Sequence, residues 1–174
     1  HVELLDDFYR VFGRNMRDLG TPVQSRAFFR QILATFPDET HLVVTYLDAT
    51  PVAAAFLVRH GSEIEIPWAS SLREFNRFGV NMLLYWEVLK FSIDSGAETF
   101  DFGRSSRDSN TLRFKAQWGA TAQPTHWYQW TPDGESAPGL SPENSRFSLA
   151  IAAWQRLPVP VANLVGPRVV KYLP

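Results

Sequence analysis

Cysteine is absent from the 174 residues, which excludes a disulfide framework, a zinc–thiolate site and a cysteine nucleophile. Net charge is nearly absent too: 17 lysines and arginines face 18 carboxylates, leaving −1. A chain so balanced has no whole-surface attraction for nucleic acid, so any polyanion contact must be local. No apolar run approaches the roughly 20 residues that a membrane-spanning helix needs. Neither a P-loop, a Gly-x-Ser-x-Gly elbow nor a dinucleotide fingerprint occurs, so kinase, hydrolase and dehydrogenase readings find no support. The histidines His1, His41, His60 and His126 lack ligand spacing, and no metal site is expected. Lysine is scarce, with Lys90, Lys115 and Lys171 against 14 arginines. What the chain does have is apolar bulk, 45% hydrophobic and 14% aromatic. That is enough to collapse around a core rather than stay disordered, and the length suits one domain with an appendage.

Leu5, Tyr9, Phe12, Met16 and Leu19 recur at three- and four-residue spacings, which predicts a helix ended by Gly20 and Pro22. Ser25 caps a second helix, with Phe28, Phe29, Ile32, Leu33 and Phe36 as its apolar face and Pro37 as its stop. The period then shortens. Runs at 42–47, 52–58 and 63–66, separated by turn residues, predict three strands in an antiparallel meander. A polar loop at 72–79 leads to a long helix over 81–95, apolar on most sides and therefore expected to be central and well covered. A short strand at 99–102 follows, and the strand–helix–strand crossover makes its neighbour in the meander a parallel one. A loop at 103–110, a short helix at 111–118 and a last strand at 125–130 complete a domain expected over residues 1–130. Residues 131–144, rich in Pro, Gly, Ser and Glu, read as a linker, and 145–174 as an amphipathic helical tail. The fold class is a mixed α/β layer, helices packed on a sheet.

Asp101 sits between Phe100 and Phe102, so its side chain points opposite to both aromatics. A carboxylate there is a candidate to orient an amine or accept its proton, or to pair structurally with Arg104 or Arg113. Arg104 and Ser105 lie just beyond that strand's C-terminal end, where ligands gather in α/β sheets, and arginine suits a carboxylate or phosphate. Trp68, Ser70, Ser71 and Arg73 follow the third strand as a candidate platform for a sugar or peptide, or as plain packing. Arg73 and Arg77 flank the loop before the long helix. Arg107, Arg113 and Lys115 extend this cationic set, which is expected to meet near one sheet edge.

The order of elements resembles the acyltransferase fold of the GNAT superfamily. Several stretches narrow the likeness: Asn15–Pro22, Pro67–Leu72, Asn81–Glu87, Phe100–Ser105 and Phe114–Gly119, with Trp154–Pro158 and Gly166-Pro167 behind them. In this order they resemble Fem-type peptidyltransferases, particularly the Fem-related proteins of exopolysaccharide and exosortase gene clusters. The resemblance implies a GNAT-like N-acyltransferase fold and an enzyme that moves an acyl or aminoacyl group onto an amine of a cell-envelope or exopolysaccharide precursor. The donor would be a cosubstrate, aminoacyl-tRNA or acyl-CoA, with no tightly bound cofactor. Asn76–Asn81 lacks the glycine-rich loop of acyl-CoA users, which puts CoA in doubt without excluding it. Phe114-Lys115 resembles the Fem motif whose lysine contacts the reacting acyl region. A fixed cation there would oppose negative charge on the carbonyl oxygen, the alternative being an ordinary surface lysine.

Fem-type enzymes carry two GNAT-like halves, and this sequence has material for the second only. With its start at His1, it is expected to be a C-terminal fragment, whose partners would be the envelope precursor, a local tRNA contact and the N-terminal half. A non-catalytic substrate-binding module and an acyl-CoA-dependent N-acetyltransferase are the alternatives. The expected location is cytoplasmic. The tail is expected to pack on the first half or a partner, or to touch the inner membrane face.

Overall fold

A 3-10 turn at Val2–Leu4 opens into α1 (Leu5–Leu19), whose Leu5, Phe8, Val11 and Phe12 are fully or almost fully buried. Asp6 and Asp7 in its first turn and Arg17 in its last each match the helix dipole. Gly20 ends it at φ +80°, with the N–H groups of Gly20 and Thr21 bonded to the carbonyls of Arg17 and Met16. The Ser25 hydroxyl accepts from Phe28 N–H at 3.1 Å and caps α2 (Arg26–Thr35). These details come from a computed structural model that describes residues 2–126, 128, 130 and 145–172.

The meander forms as β1 (Thr40–Leu47), β2 (Thr50–His60) and β3 (Glu63–Ser71). The crossover helix α3 (Val80–Asp94) then returns β4 (Thr99–Asp101) parallel to β3, giving the order β1-β2-β3-β4. β2 is buried on both faces. Ala54 and Phe56 join the α1–α2 core, while Val52, Ala53, Ala55 and Leu57 join a second core under α3.

Two irregularities in β3 shape everything that follows. Phe56 faces Trp68 and Val58 faces Glu65, so Ile66 and Pro67 bulge against Leu57 alone. Proline fits there because it has no N–H to give to a ladder. β4, moreover, pairs with β3 only along Glu63–Glu65. From Ile66 to Ser71 the outer edge of β3 has no strand partner among the described residues.

Three expectations need correction. Of the strand expected at 125–130, Thr125, His126, Tyr128 and Trp130 carry no strand pairing, and Trp127 and Gln129 lie outside the described residues. The linker at 131–144 also lies outside them. α3 is not covered all round: among the described residues its Leu83, Trp86 and Ile93 are exposed. Finally, the tail finds its packing surface within this chain. It forms α5 (Ser145–Gln155) and α6 (Val159–Val170), and both rest on α1. Arg17 donates to Leu157 O at 2.8 Å and Gln155 to Asp18 O at 3.1 Å. Ala162 is buried, and Gly166 lies so close to Val23 that a Cβ would fall 2.9 Å from its backbone nitrogen.

Candidate functional site

Where the open edge of β3 faces α3 and α4 (Asn110–Gln117), the chain leaves a cleft of about 320 Å³. Ala69, Ser70 and Ser71 of β3 form one wall, Asn81 and Tyr85 of α3 a second, and Asn110, Thr111 and Phe114 of α4 a third. Asn15 reaches in from α1 and donates to Ser70 Oγ at 3.1 Å. The lining is made of amides, hydroxyls and aromatic rings, with no charged side chain. Tyr85 holds the aromatic wall, stacked on Phe102 and edge-on to Phe114 at 4.9 Å. Burial pushes its phenol up, so it stays neutral.

Beside the cleft is a charged corner. Phe100 and Phe102 pack together under α3, which turns Asp101 to the other face of the sheet. The Asp101 carboxylate accepts from Gly103 N–H at 2.7 Å, and Gly103 makes the bend at φ +70°. Lys115, 6% exposed, donates to the carbonyls of Gly103 at 2.8 Å and Arg104 at 3.0 Å. Ser109 fixes the helix carrying it, accepting from Leu112 N–H at 3.1 Å. Burial lowers the Lys115 pKa, and the Asp101 charge opposes that fall. Glu65 stands opposite Asp101 in the parallel register. Its carboxyl is pushed up, first by desolvation, then by repulsion from Asp101 and Glu63, with Arg104 opposing.

The fold thus gathers some sequence candidates and scatters others. Ser70 and Phe114 line the cleft. Asp101, Arg104 and Lys115 form the corner with Ser105, whose hydroxyl is buried without a hydrogen-bond partner. Neither Lys115 nor Asp101 reaches the cleft wall. Trp68 is no ligand platform. The bulge turns it into the α1–α2 core, edge-on to Phe29 at 5.1 Å and Phe56 at 5.5 Å. Arg73 and Arg77 are exposed on a 3-10 segment, Arg73–Phe78, and Arg77 lies over the Phe78 ring at 4.7 Å. Sequence reading missed Asn15, Asn81, Asn110 and Thr111, ordinary polar residues that only the topology brings together. Nor did it single out Tyr85 within the long helix or Glu65 within the strand at 63–66. The signal in hand for Glu65 was its parallel neighbour Asp101, but no sequence cue fixed the register.

The first turn of α3 borders the same cleft. Gly79 precedes it at φ +68°, and a Cβ there would meet nothing within 4 Å. The N–H groups of Val80, Asn81 and Met82 have no helical carbonyl to bond. These donors, with the amide-rich cleft and the unpaired β3 edge, suit a ligand that joins an extended amide chain to a phosphate.

Residues 1–123 match the family model described as an acetyltransferase (GNAT) domain. No curated protein sequence matches the chain significantly. Among solved structures, a ribosomal-protein alanine N-acetyltransferase from Escherichia coli superposes with TM-score 0.60 at 15% identity, covering 77% of this chain and 83% of that one. An aminoglycoside acetyltransferase from an uncultured soil metagenomic sample, in complex with sisomicin, gives 0.58 at 14% identity over 75% and 90%. An N-acetyltransferase from Thermoplasma acidophilum, in complex with coenzyme A, gives 0.52 at 13% over 72% and 88%. At these identities the likeness is one of fold.

Proposed function

The chain belongs to the acetyltransferase (GNAT) domain family, and from that membership we propose that it transfers an acyl group from acyl-CoA to a primary amine, forming an amide. The observation that carries this reading is the parting of β3 and β4 after Glu65 and Asp101, which leaves a cleft along an unpaired strand edge. In this reading Ile66–Ser71 offers backbone groups to the amides of the donor's arm, and the first turn of α3 receives its phosphates. Arg73 and Arg77 add positive charge nearby. In place of a glycine-rich loop stands Gly79, where a Cβ would meet nothing within 4 Å. The donor supplies a thioester carbonyl.

The charged corner does the rest. Glu65, with its raised pKa, takes the proton that the attacking ammonium must lose. Asp101, fixed in place by the Gly103 N–H, keeps the amine oriented. Two of the three Lys115 donors hold the Gly103–Arg104 bend, and the third opposes negative charge on the carbonyl oxygen. Lys115 thereby both positions the corner and carries the role that the Fem-type motif implies.

We infer further that the acceptor is an amine on a cell-envelope or exopolysaccharide precursor, as in Fem-type enzymes. Its support is spatial. Pro67–Leu72, Asn81–Glu87, Phe100–Ser105 and Phe114–Gly119, which carry that resemblance, meet around the cleft and its corner. Incubating the chain with acetyl-CoA and an amino sugar, and in parallel with a lysine-containing peptide, tests both levels. Thiol release with an acylated amino sugar, seen by mass spectrometry and lost in Glu65→Gln, is the expected result. Acylation of the peptide alone would overturn the acceptor class, and no thiol release with any amine would overturn the transferase reading.

A further inference from the structure

The chain's charge is divided unevenly. Residues 1–144 hold all 18 carboxylates and 13 of the cations, whereas residues 145–174 hold four cations, Arg146, Arg156, Arg168 and Lys171, and no carboxylate. α6 adds a geometric division. Ala162 and Gly166 are buried against the body of the chain. Val161, Leu164, Val165, Arg168 and Tyr172, spaced by three and four residues, are all exposed. They form one outward stripe, apolar until its last turn. Leu164 is 66% and Tyr172 78% exposed, and Lys171 lies over the Tyr172 ring at 4.8 Å. On α5, Leu149 is 82% exposed, one turn before exposed Ala153 and two before exposed Arg156.

We propose that α5 and α6 dock this chain on the surface of an anionic lipid bilayer. The inner faces of the two helices are already committed to α1 and the segment after it, through Arg17, Asp18, Gly13 and Val23, so the outer faces are not part of the core. A helix with an apolar outer stripe, an aromatic at its end and cations alone for charge sinks its stripe to the headgroup boundary while the cations meet the phosphates. Charge decides between partners. A protein partner covering this stripe needs no carboxylate-free stretch of thirty residues, whereas an anionic membrane repels every carboxylate placed near it. α6 is 12 residues long and none of the described helices is long and apolar enough to cross a membrane, so the contact lies along the surface. Asn15 of α1, the helix beneath α5 and α6, reaches into the cleft, so docking would hold the cleft near the bilayer.

The test is co-sedimentation of the full chain with phosphatidylcholine vesicles containing about one-third phosphatidylglycerol, and with phosphatidylcholine alone. Binding to the anionic vesicles, weakened by salt and reduced about tenfold or more in Arg168→Ala/Lys171→Ala, is expected, each cation near such a surface being worth about fivefold. Leu164→Ser, at an exposed position, should weaken binding without lowering the melting temperature. Equal binding to both vesicle types, or none to either, would overturn the proposal. So would concentration-dependent self-association abolished by Leu164→Ser, which would assign the stripe to a second copy. Acyl transfer in solution is read separately, so failure here leaves the enzymatic reading standing.

Discussion

Glu65 of β3 and Asp101 of β4 face each other as the last parallel pair before the two strands part. Desolvation raises the Glu65 carboxyl, and repulsion from the Asp101 carboxylate brought into register there raises it further. The chain accepts an unfavourable contact where the two strands part, and in the proposed reading that contact supplies the proton acceptor.

A raised folded-state pKa favours the protonated form, so this contribution to stability is full below the unfolded value and disappears as pH rises through the folded one. Glu65→Gln should therefore be slightly more stable than the native chain at pH 7, by no more than a few tenths of a kcal/mol because Glu65 is exposed. The difference should shrink toward zero as pH falls below 5. Melting curves of the two proteins from pH 4 to 8 check this. A constant difference would mean that the Glu65 carboxyl is not raised in the folded chain.

Lys115→Met should remove about 2 kcal/mol of stability, because two carbonyls at the bend lose a charged donor. Transfer should fall about 100-fold or more, the usual effect of losing an electrophilic donor. Denaturant melts and initial rates below the unfolding temperature separate the two effects. A stability loss with unchanged rate would leave Lys115 as a strut only.

Gly166→Val should lift α6 from the segment that follows α1. The new Cβ would fall within 3.1 Å of the Val23 backbone, which cannot yield as a flexible side chain can. Overpacking of this kind destabilises by about 1–3 kcal/mol. Limited proteolysis should then cut within residues 145–172 faster than in the native chain.

Ser109→Ala should remove the cap of α4 and about 1 kcal/mol with it. The same change frees Lys115 from a fixed place, so the rate should fall more than the melting temperature alone implies. Ser25→Ala, the equivalent cap on α2 and remote from the cleft, should lower stability alone.

Much of this arrangement was legible in the residues. Gly20, Ser25 and Pro37 marked helix ends, and turn residues parted the meander strands. The crossover also gave the parallel pairing of β3 and β4. What stayed hidden depended on distance in sequence or on register. The bulge at Ile66 and Pro67 puts Trp68 against the α1–α2 core, so of its two readings packing is the one the fold fills. Asn15, Asn81 and Asn110 carry no local pattern and share a cleft only because α1, α3 and α4 converge on β3. The apolar surface of α3 read as burial on most sides, but a two-layer sheet offers a helix one face to cover. In the tail, Ala162 and Gly166 gave the docking surface on α1, small residues that permit close approach and have too little apolar area to register in a pattern.

The central claim is that the cleft beside β3 holds the acyl donor. Isothermal titration of acetyl-CoA into the native chain and into Ser71→Phe, which fills the cleft wall, tests it most directly. The prediction is one-to-one binding in the micromolar range to the native chain and none to the variant, with unchanged melting temperature. Equal affinity for both proteins, or no binding to either, would contradict the account.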